Sequence, residues 1–133
     1  MCLGRDFAVG KKKGRNLWEF DFNFIPLDDN SFDLVYSRHS LEHSPIPLLT
    51  LMEWARICNP YIALVLPSPE YWRWGGRNHY FVLNRHQWKN LFQVVGLDVV
   101  HESIKKHPMY PGKPESTIEY WFLLKKKDGN NEN

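Results

Sequence analysis

The chain has 133 residues, 43% hydrophobic and 24% charged, with a formal net charge of +2 at pH 7. That length suits one domain, and the near-neutral charge argues against a concentrated nucleic-acid footprint, the basic runs 11–13 and 125–127 reading as solvated ends. Residues 62–66, the longest apolar run, cannot cross a bilayer, residues 1–10 lack a signal-peptide core, and Cys2 and Cys58 make no disulfide framework, so a cytoplasmic protein is expected.

Short β-like runs alternate with helical ones, which predicts an α/β layer architecture. Residues 17–22 alternate aromatic and acidic side chains and read as a strand before Pro26. Asp28-Asp29-Asn30-Ser31 is a turn cluster, and residues 32–36 read as a buried strand. Ser44-Pro45 predicts a helix start, a hydroxyl cap followed by proline, and the apolar stripe after it stops at Asn59-Pro60. Residues 61–66 are nearly all apolar, as in a strand covered on both faces.

Residues 70–83 are loop-like. Asn84 then caps a helix, with Gln87 at the capping-box spacing and Gly96 closing it. Val99-Val100 begins a strand, residues 108–114 make a hairpin connection, and residues 117–124 return antiparallel. One domain over 1–124 and a frayed polar tail over 125–133 follow. Trp18, Trp54, Trp88 and Trp121 fall in these elements and are expected in the core, whereas Trp72 and Trp74 lie in a loop with Gly75-Gly76 and His79.

Several segments occur in a telling order: Asp21-Phe22, Ile25-Pro26-Leu27, Asp29-Asn30-Ser31-Phe32-Asp33-Leu34-Val35, Leu41-Glu42-His43, then Glu53-Trp54-Ala55-Arg56-Ile57. With the helix–Gly–strand unit over 84–100, this order resembles the C-terminal part of class I S-adenosylmethionine-dependent methyltransferases. It is most similar to the small-molecule type that includes the ubiquinone and menaquinone enzymes. The resemblance spans residues 21–124 and implies a partial Rossmann-like α/β sheet ending in an antiparallel hairpin, with helices on both faces. It also implies methyl transfer from S-adenosylmethionine to an acceptor it does not specify.

Ligands of an open parallel sheet sit beyond the carboxyl ends of its strands, where Asp21 and residues 36–39 fall. The resemblance implies that Asp21 and the Phe22 amide read the adenine and, in an alignment that starts the chain after the cofactor loop, that Asp6 is the ribose acid; Ser37, at the same strand-end rim, is expected beside the cofactor. The resemblance also implies a Gly-rich cofactor loop, which the sequence lacks: Gly4 and Gly10 stand alone. Two alignments stay open. In the preferred one the chain starts after that loop; in the other, Cys2-Leu3-Gly4-Arg5 is its remnant. Either leaves the methionine end of the site absent. That supports a rival expectation, a non-catalytic module binding a partner subunit or a second copy through a bare sheet edge.

His39, Glu42 and His43 can share one side of a helical turn. The spacing H-x-x-E-H also occurs in inverted zinc peptidases, but there it lies inside a long helix, and here it directly follows a strand. The expected acid–base group is His39 or His43, helped by Glu42. Arg38, Trp72, Trp74 and His79 are the expected acceptor-side residues. Some RNA 2′-O-methyltransferases similar to this group hold a divalent ion through a Glu-x-x-Glu-His segment and a distant histidine. The resemblance maps these onto His39, Glu42, His43 and His79, with a histidine in place of the first acid. Whether these residues hold a metal stays open at this point.

Overall fold

The computed structural model describes residues 2–3, 11–12, 17–19, 21–69, 79–106 and 118–129. Strands β1 (Cys2–Leu3), β2 (Lys11–Lys12) and β3 (Leu17–Glu19) form a small sheet in the order β1-β3-β2. The strand expected over residues 17–22 ends early because Asp21 folds its own backbone. Asp21 Oδ1 accepts from the Asn23 amide and from Asn23 Nδ2, both at 2.9 Å, and this Asx turn breaks an extended run.

The main sheet contains β4 (Phe32–Arg38), β5 (Cys58–Pro67), β6 (Leu97–Lys106) and β7 (Ile118–Lys126), in the order β4-β5-β7-β6. β4 and β5 are parallel, and β7 runs antiparallel to both β5 and β6, which makes the expected C-terminal hairpin. Helix α1 (Pro47–Ile57) joins β4 to β5, and α2 (Arg85–Val95) precedes β6. This is a Rossmann-like α/β arrangement with a terminal antiparallel pair.

Alternation within the strands assigns the faces. Ile62, Leu64 and Leu66 stand in register with Leu124, Phe122 and Tyr120 and are buried against Leu51 and Trp54 of α1 and Trp88 and Phe92 of α2. The opposite face carries Leu34 and Tyr36, which are 50% and 53% exposed. The expectation of helices on both faces is therefore corrected: among the described residues, both helices cover one. Right-handed crossovers that advance in one direction along a sheet all fall on the same side, and β4-α1-β5 and β5-α2-β6 both advance away from β4.

Local signals fared unevenly. The Asn84 capping box forms, and Gly96 closes α2 at φ 85°, the left-handed conformation that glycine adopts without strain. Ser44 does not cap α1, which starts at Pro47 with Ile46 as its cap residue. Instead, Ser44 Oγ accepts from the Ile46 amide at 3.1 Å and lies 2.6 Å from Thr50 Oγ1, which donates to Asn23 Oδ1. A buried polar chain outcompetes an exposed cap here.

Lys126 belongs to β7, and its Nζ donates to the Cys58 carbonyl and to Asn30 Oδ1, both at 3.1 Å, so the basic run is anchored where fraying was expected. Trp54 and Trp88 are core residues, but Trp121 is half-buried, with Lys105 Nζ 4.3 Å and Arg38 Cζ 5.9 Å from its ring centroid. The side chain of Trp18 and the 108–114 connection lie outside the described residues. Burial pushes the Cys58 thiol up to about 11, so it is an inert core group. No helix among the described residues is long and apolar enough to cross a membrane.

Candidate functional site at the carboxyl ends of β4 and β5

β4 and β5 run parallel with Arg38 opposite Val65, so their carboxyl ends share one rim. The chain turns sharply there. His39 takes φ 48°, unusual for a side-chain-bearing residue, and its amide donates to the Val65 carbonyl at 2.9 Å. A single 3₁₀ turn, Leu41–His43, follows. The Tyr80 and Phe81 amides donate to the Glu42 carbonyl at 2.9 and 3.1 Å, which brings the segment carrying His79 against this turn.

Glu42 is fully buried, and neither of its carboxylate oxygens has a hydrogen-bond partner among the described residues. Burial pushes its pKa up to about 7, and the negative charge of Glu119 adds to the rise, while its own backbone amide only partly offsets it. His39 Nδ1 and His43 Nε2 each lie 3.8 Å from Glu42 Oε1. His43 and His79 meet edge to face with ring centroids 4.6 Å apart. Desolvation, with smaller contributions from His43 and His39, holds the His79 imidazole below its usual pKa, which favours a neutral ring.

Glu42, His43 and His79 each offer a donor atom, and the three atoms lie within 4.8 Å of one another. One carboxylate and two imidazoles suit a borderline cation such as Zn²⁺ better than Mg²⁺. The unpartnered Glu42 oxygens supply the negative charge such an ion needs.

The other predicted residues divide. Asp21 is half-buried in the turn after β3, and Phe22 is buried, with its carbonyl accepting from Trp54 Nε1 at 2.9 Å. Asn23 links this turn through Thr50 and Ser44 to the residue after His43, so Asp21 and the Glu42 cluster belong to one connected rim. Ser37 is not brought to the cluster: it is buried on the helix-covered face of β4, opposite Leu64. Arg38 turns to Glu119, Nη2 to Oε1 at 3.1 Å. Asp6, Trp72 and Trp74 lie outside the described residues.

Sequence reasoning missed Glu119, which is 1% exposed. Its Oε1 accepts from Arg38 and lies 2.7 Å from His39 Nε2, and its Oε2 accepts from Trp121 Nε1 at 3.1 Å. The available signal was an acid inside the otherwise apolar run Ile118-Glu119-Tyr120-Trp121-Phe122. An apolar groove of about 610 Å³ runs between the start of α1 and α2, lined by residues including Ile46, Leu49, Met52, Phe81 and Leu83 and by none of the cluster residues.

The model of the methyltransferase domain family matches residues 5–65, a span that includes Asp21, His39, Glu42 and His43. The fold is that of the class I methyltransferases. The solved structures similar to this methyltransferase fold include a Bacillus halodurans methyltransferase, at TM-score 0.67 and 12% identity over 83% of this chain and 76% of that one. A Haloferax volcanii methyltransferase in complex with the Trm112 methyltransferase activator aligns at TM-score 0.65 and 18% identity, covering 83% of this chain but 60% of its own. A Thermotoga maritima S-adenosylmethionine-dependent methyltransferase aligns at 0.62 and 16%, over 82% and 63%. The chain thus spans about three fifths of the archaeal and Thermotoga proteins. No curated protein matches it in sequence.

The described residues fit one half of the family's cofactor. Asp21 offers a carboxylate at the rim, and the Trp54 bond to the Phe22 carbonyl holds the turn beside it in place. For the methionine half, the described residues offer no glycine-lined turn: Gly96 and Gly129, the described glycines, lie at the end of α2 and beyond β7.

Proposed function

We propose that this methyltransferase domain carries the adenosine side and the acceptor side of an active site that methylates a nucleophile bearing a dissociable proton. The observation that carries the reading is the rim cluster itself: His39 and His43 flank the buried Glu42, and Asn23, Thr50 and Ser44 connect it to the turn that holds Asp21. S-adenosylmethionine, when bound, supplies an electrophilic methyl on a sulfonium. Asp21 and the Phe22 amide would hold its adenine.

His39 would take the acceptor's proton at Nδ1, and the imidazolium would then stand between the carboxylates of Glu42 and Glu119. Positioned general bases of this kind contribute roughly 10²–10⁴-fold. The apolar groove between α1 and α2 would seat the acceptor's body. The buried free thiol of Cys58 suits a reducing cytoplasm.

Titration calorimetry with S-adenosylhomocysteine tests the reading. One-to-one binding that Asp21→Ala weakens at least tenfold supports it; no heat at millimolar ligand, from protein that is folded by circular dichroism, sinks it.

A second reading, a partner-binding module, rests on β4. This strand lies at the sheet edge with Leu34 and Tyr36 exposed, and one structural neighbour is a methyltransferase solved with its activator. Light scattering separates the two: a monomer that binds the nucleoside refutes the module, whereas a self-associating protein that Tyr36→Lys disperses and that ignores the nucleoside favours it.

A further inference from the structure

We propose that Glu119, eighty residues downstream of His39, is the positioning residue that fixes its imidazole, with Nε2–H donated to Glu119 and Nδ1 unprotonated on the side of Glu42. The proposal rests on the reading of His39 as the acceptor-side base.

The geometry is specific. β7 places Glu119 opposite Pro67 of β5 and Lys105 of β6, at the same rim where β4 ends. Its carboxylate is 1% exposed, and a carboxylate removed from water is stable only where several donors meet it. Among the described residues, three do: Arg38 Nη2 at 3.1 Å and His39 Nε2 at 2.7 Å on Oε1, and Trp121 Nε1 at 3.1 Å on Oε2. Arg38 and Trp121 can only donate, so both oxygens of Glu119 must accept. A glutamine would present an NH₂ group to one of these donors, which gives a reason for an acid at this position.

The backbone restricts the ring from the other side. His39 stands at φ 48° with its amide on the Val65 carbonyl, which limits where its side chain can point. A carboxylate acceptor at Nε2 selects the tautomer protonated there, as the partner bond on one ring nitrogen decides the state of the other. Nδ1 then faces Glu42 Oε1 at 3.8 Å. Two buried acids on opposite sides of one imidazole give distinct roles, Glu119 to orient the ring and Glu42 to meet the charge that forms.

The test is ¹⁵N NMR of the full chain with labelled histidine at fixed pH in the presence of EDTA, with His39→Ala to assign the signal. Wild-type His39 is expected to show a protonated Nε2 and a bare Nδ1. In Glu119→Gln the ring is expected to relax to a mixture of tautomers, while Arg38→Ala, which removes a different donor from the same carboxylate, leaves the tautomer unchanged. A wild-type His39 protonated at Nδ1 overturns the proposal whatever the variants do, including where Glu119→Gln fails to fold. An unchanged tautomer in folded Glu119→Gln also overturns it.

No cofactor or acceptor enters this measurement, so its failure is distinct from failure of the calorimetric test of function. Where methyl transfer is measured, Glu119→Gln is expected to lower kcat roughly 10²-fold with KM within about twofold.

Discussion

Trp54 Nε1 donates to the Phe22 carbonyl at 2.9 Å, a buried bond that ties the middle of α1 to the turn carrying Asp21. The rings of the two residues also pack, with centroids 5.9 Å apart. The core therefore reaches the rim through this pair, and the orientation of the Phe22–Asn23 peptide depends on a helix side chain thirty-two residues away.

Trp54→Phe keeps much of the aromatic packing and strands the carbonyl. Loss of about 1–3 kcal/mol of stability is expected from the unsatisfied acceptor and the smaller ring, measured by urea unfolding. S-adenosylhomocysteine affinity should fall as well if the turn carrying Asp21 holds the adenine as proposed, because the peptide that follows Phe22 loses its anchor. An unchanged affinity would show that this bond serves the fold alone.

The loop between Phe22 and β4 is held by Glu53 and Arg56, one turn apart on α1. Glu53 Oε1 accepts from the Ile25 amide at 3.0 Å, and Arg56 donates to the Ile25 and Leu27 carbonyls and to Asp29. Hydrogen bonding to Arg56 holds the Glu53 carboxyl below its usual range. A depressed folded-state pKa stabilises the fold above the unfolded value, and that contribution is lost as pH falls through the folded one. Stability should therefore decline on acidification below the ordinary carboxylate range, and Glu53→Gln should flatten that decline. A decline of unchanged slope in Glu53→Gln would assign it to other groups.

Glu42, His43 and His79 predict a thermal response to Zn²⁺. Ion bound only to the folded state at a hundredfold excess over its dissociation constant adds about 2.7 kcal/mol. The melting temperature of wild type should rise with Zn²⁺ and return with EDTA, and His79→Ala should abolish the rise. Equal shifts in both proteins would place the ion elsewhere.

Gly96 takes φ 85° and has no heavy atom within 4 Å of the position a Cβ would fill, so a side chain there meets backbone strain without a clash. Gly96→Ala should cost about 1–2 kcal/mol, whereas Gly129→Ala, where no left-handed φ is required, should cost nothing measurable. Equal losses at both glycines would remove the conformational explanation.

Signals confined to a few neighbouring residues were legible in the sequence. The Asn84 box, the Gly96 stop, the apolar β5 and the hairpin of β6 and β7 all rest on near-neighbour hydrogen bonds or on short runs of apolar residues. Ser44 looked like a cap by the same logic, but Asn23 and Thr50, distant in sequence, drew its hydroxyl into a buried chain. The run from Lys125 looked like a frayed tail because Asn30 and Cys58, its acceptors, lie far upstream.

At the site, the sequence determined the chemical inventory: His39, Glu42 and His43 after one strand, and Asp21 after another, because their spacing is set by a single turn or strand end. Only the tertiary structure decided how that inventory is used. It left the carboxylate of Glu42 without a hydrogen-bond partner among the described residues, turned Ser37 away from the cluster, and brought His79 to His43 and Glu119 to His39. Each of these depends on desolvation or on strand register between segments far apart in the chain. Burial, which sets the charge of Glu42, is a property of everything packed around a residue, and no local pattern encodes it.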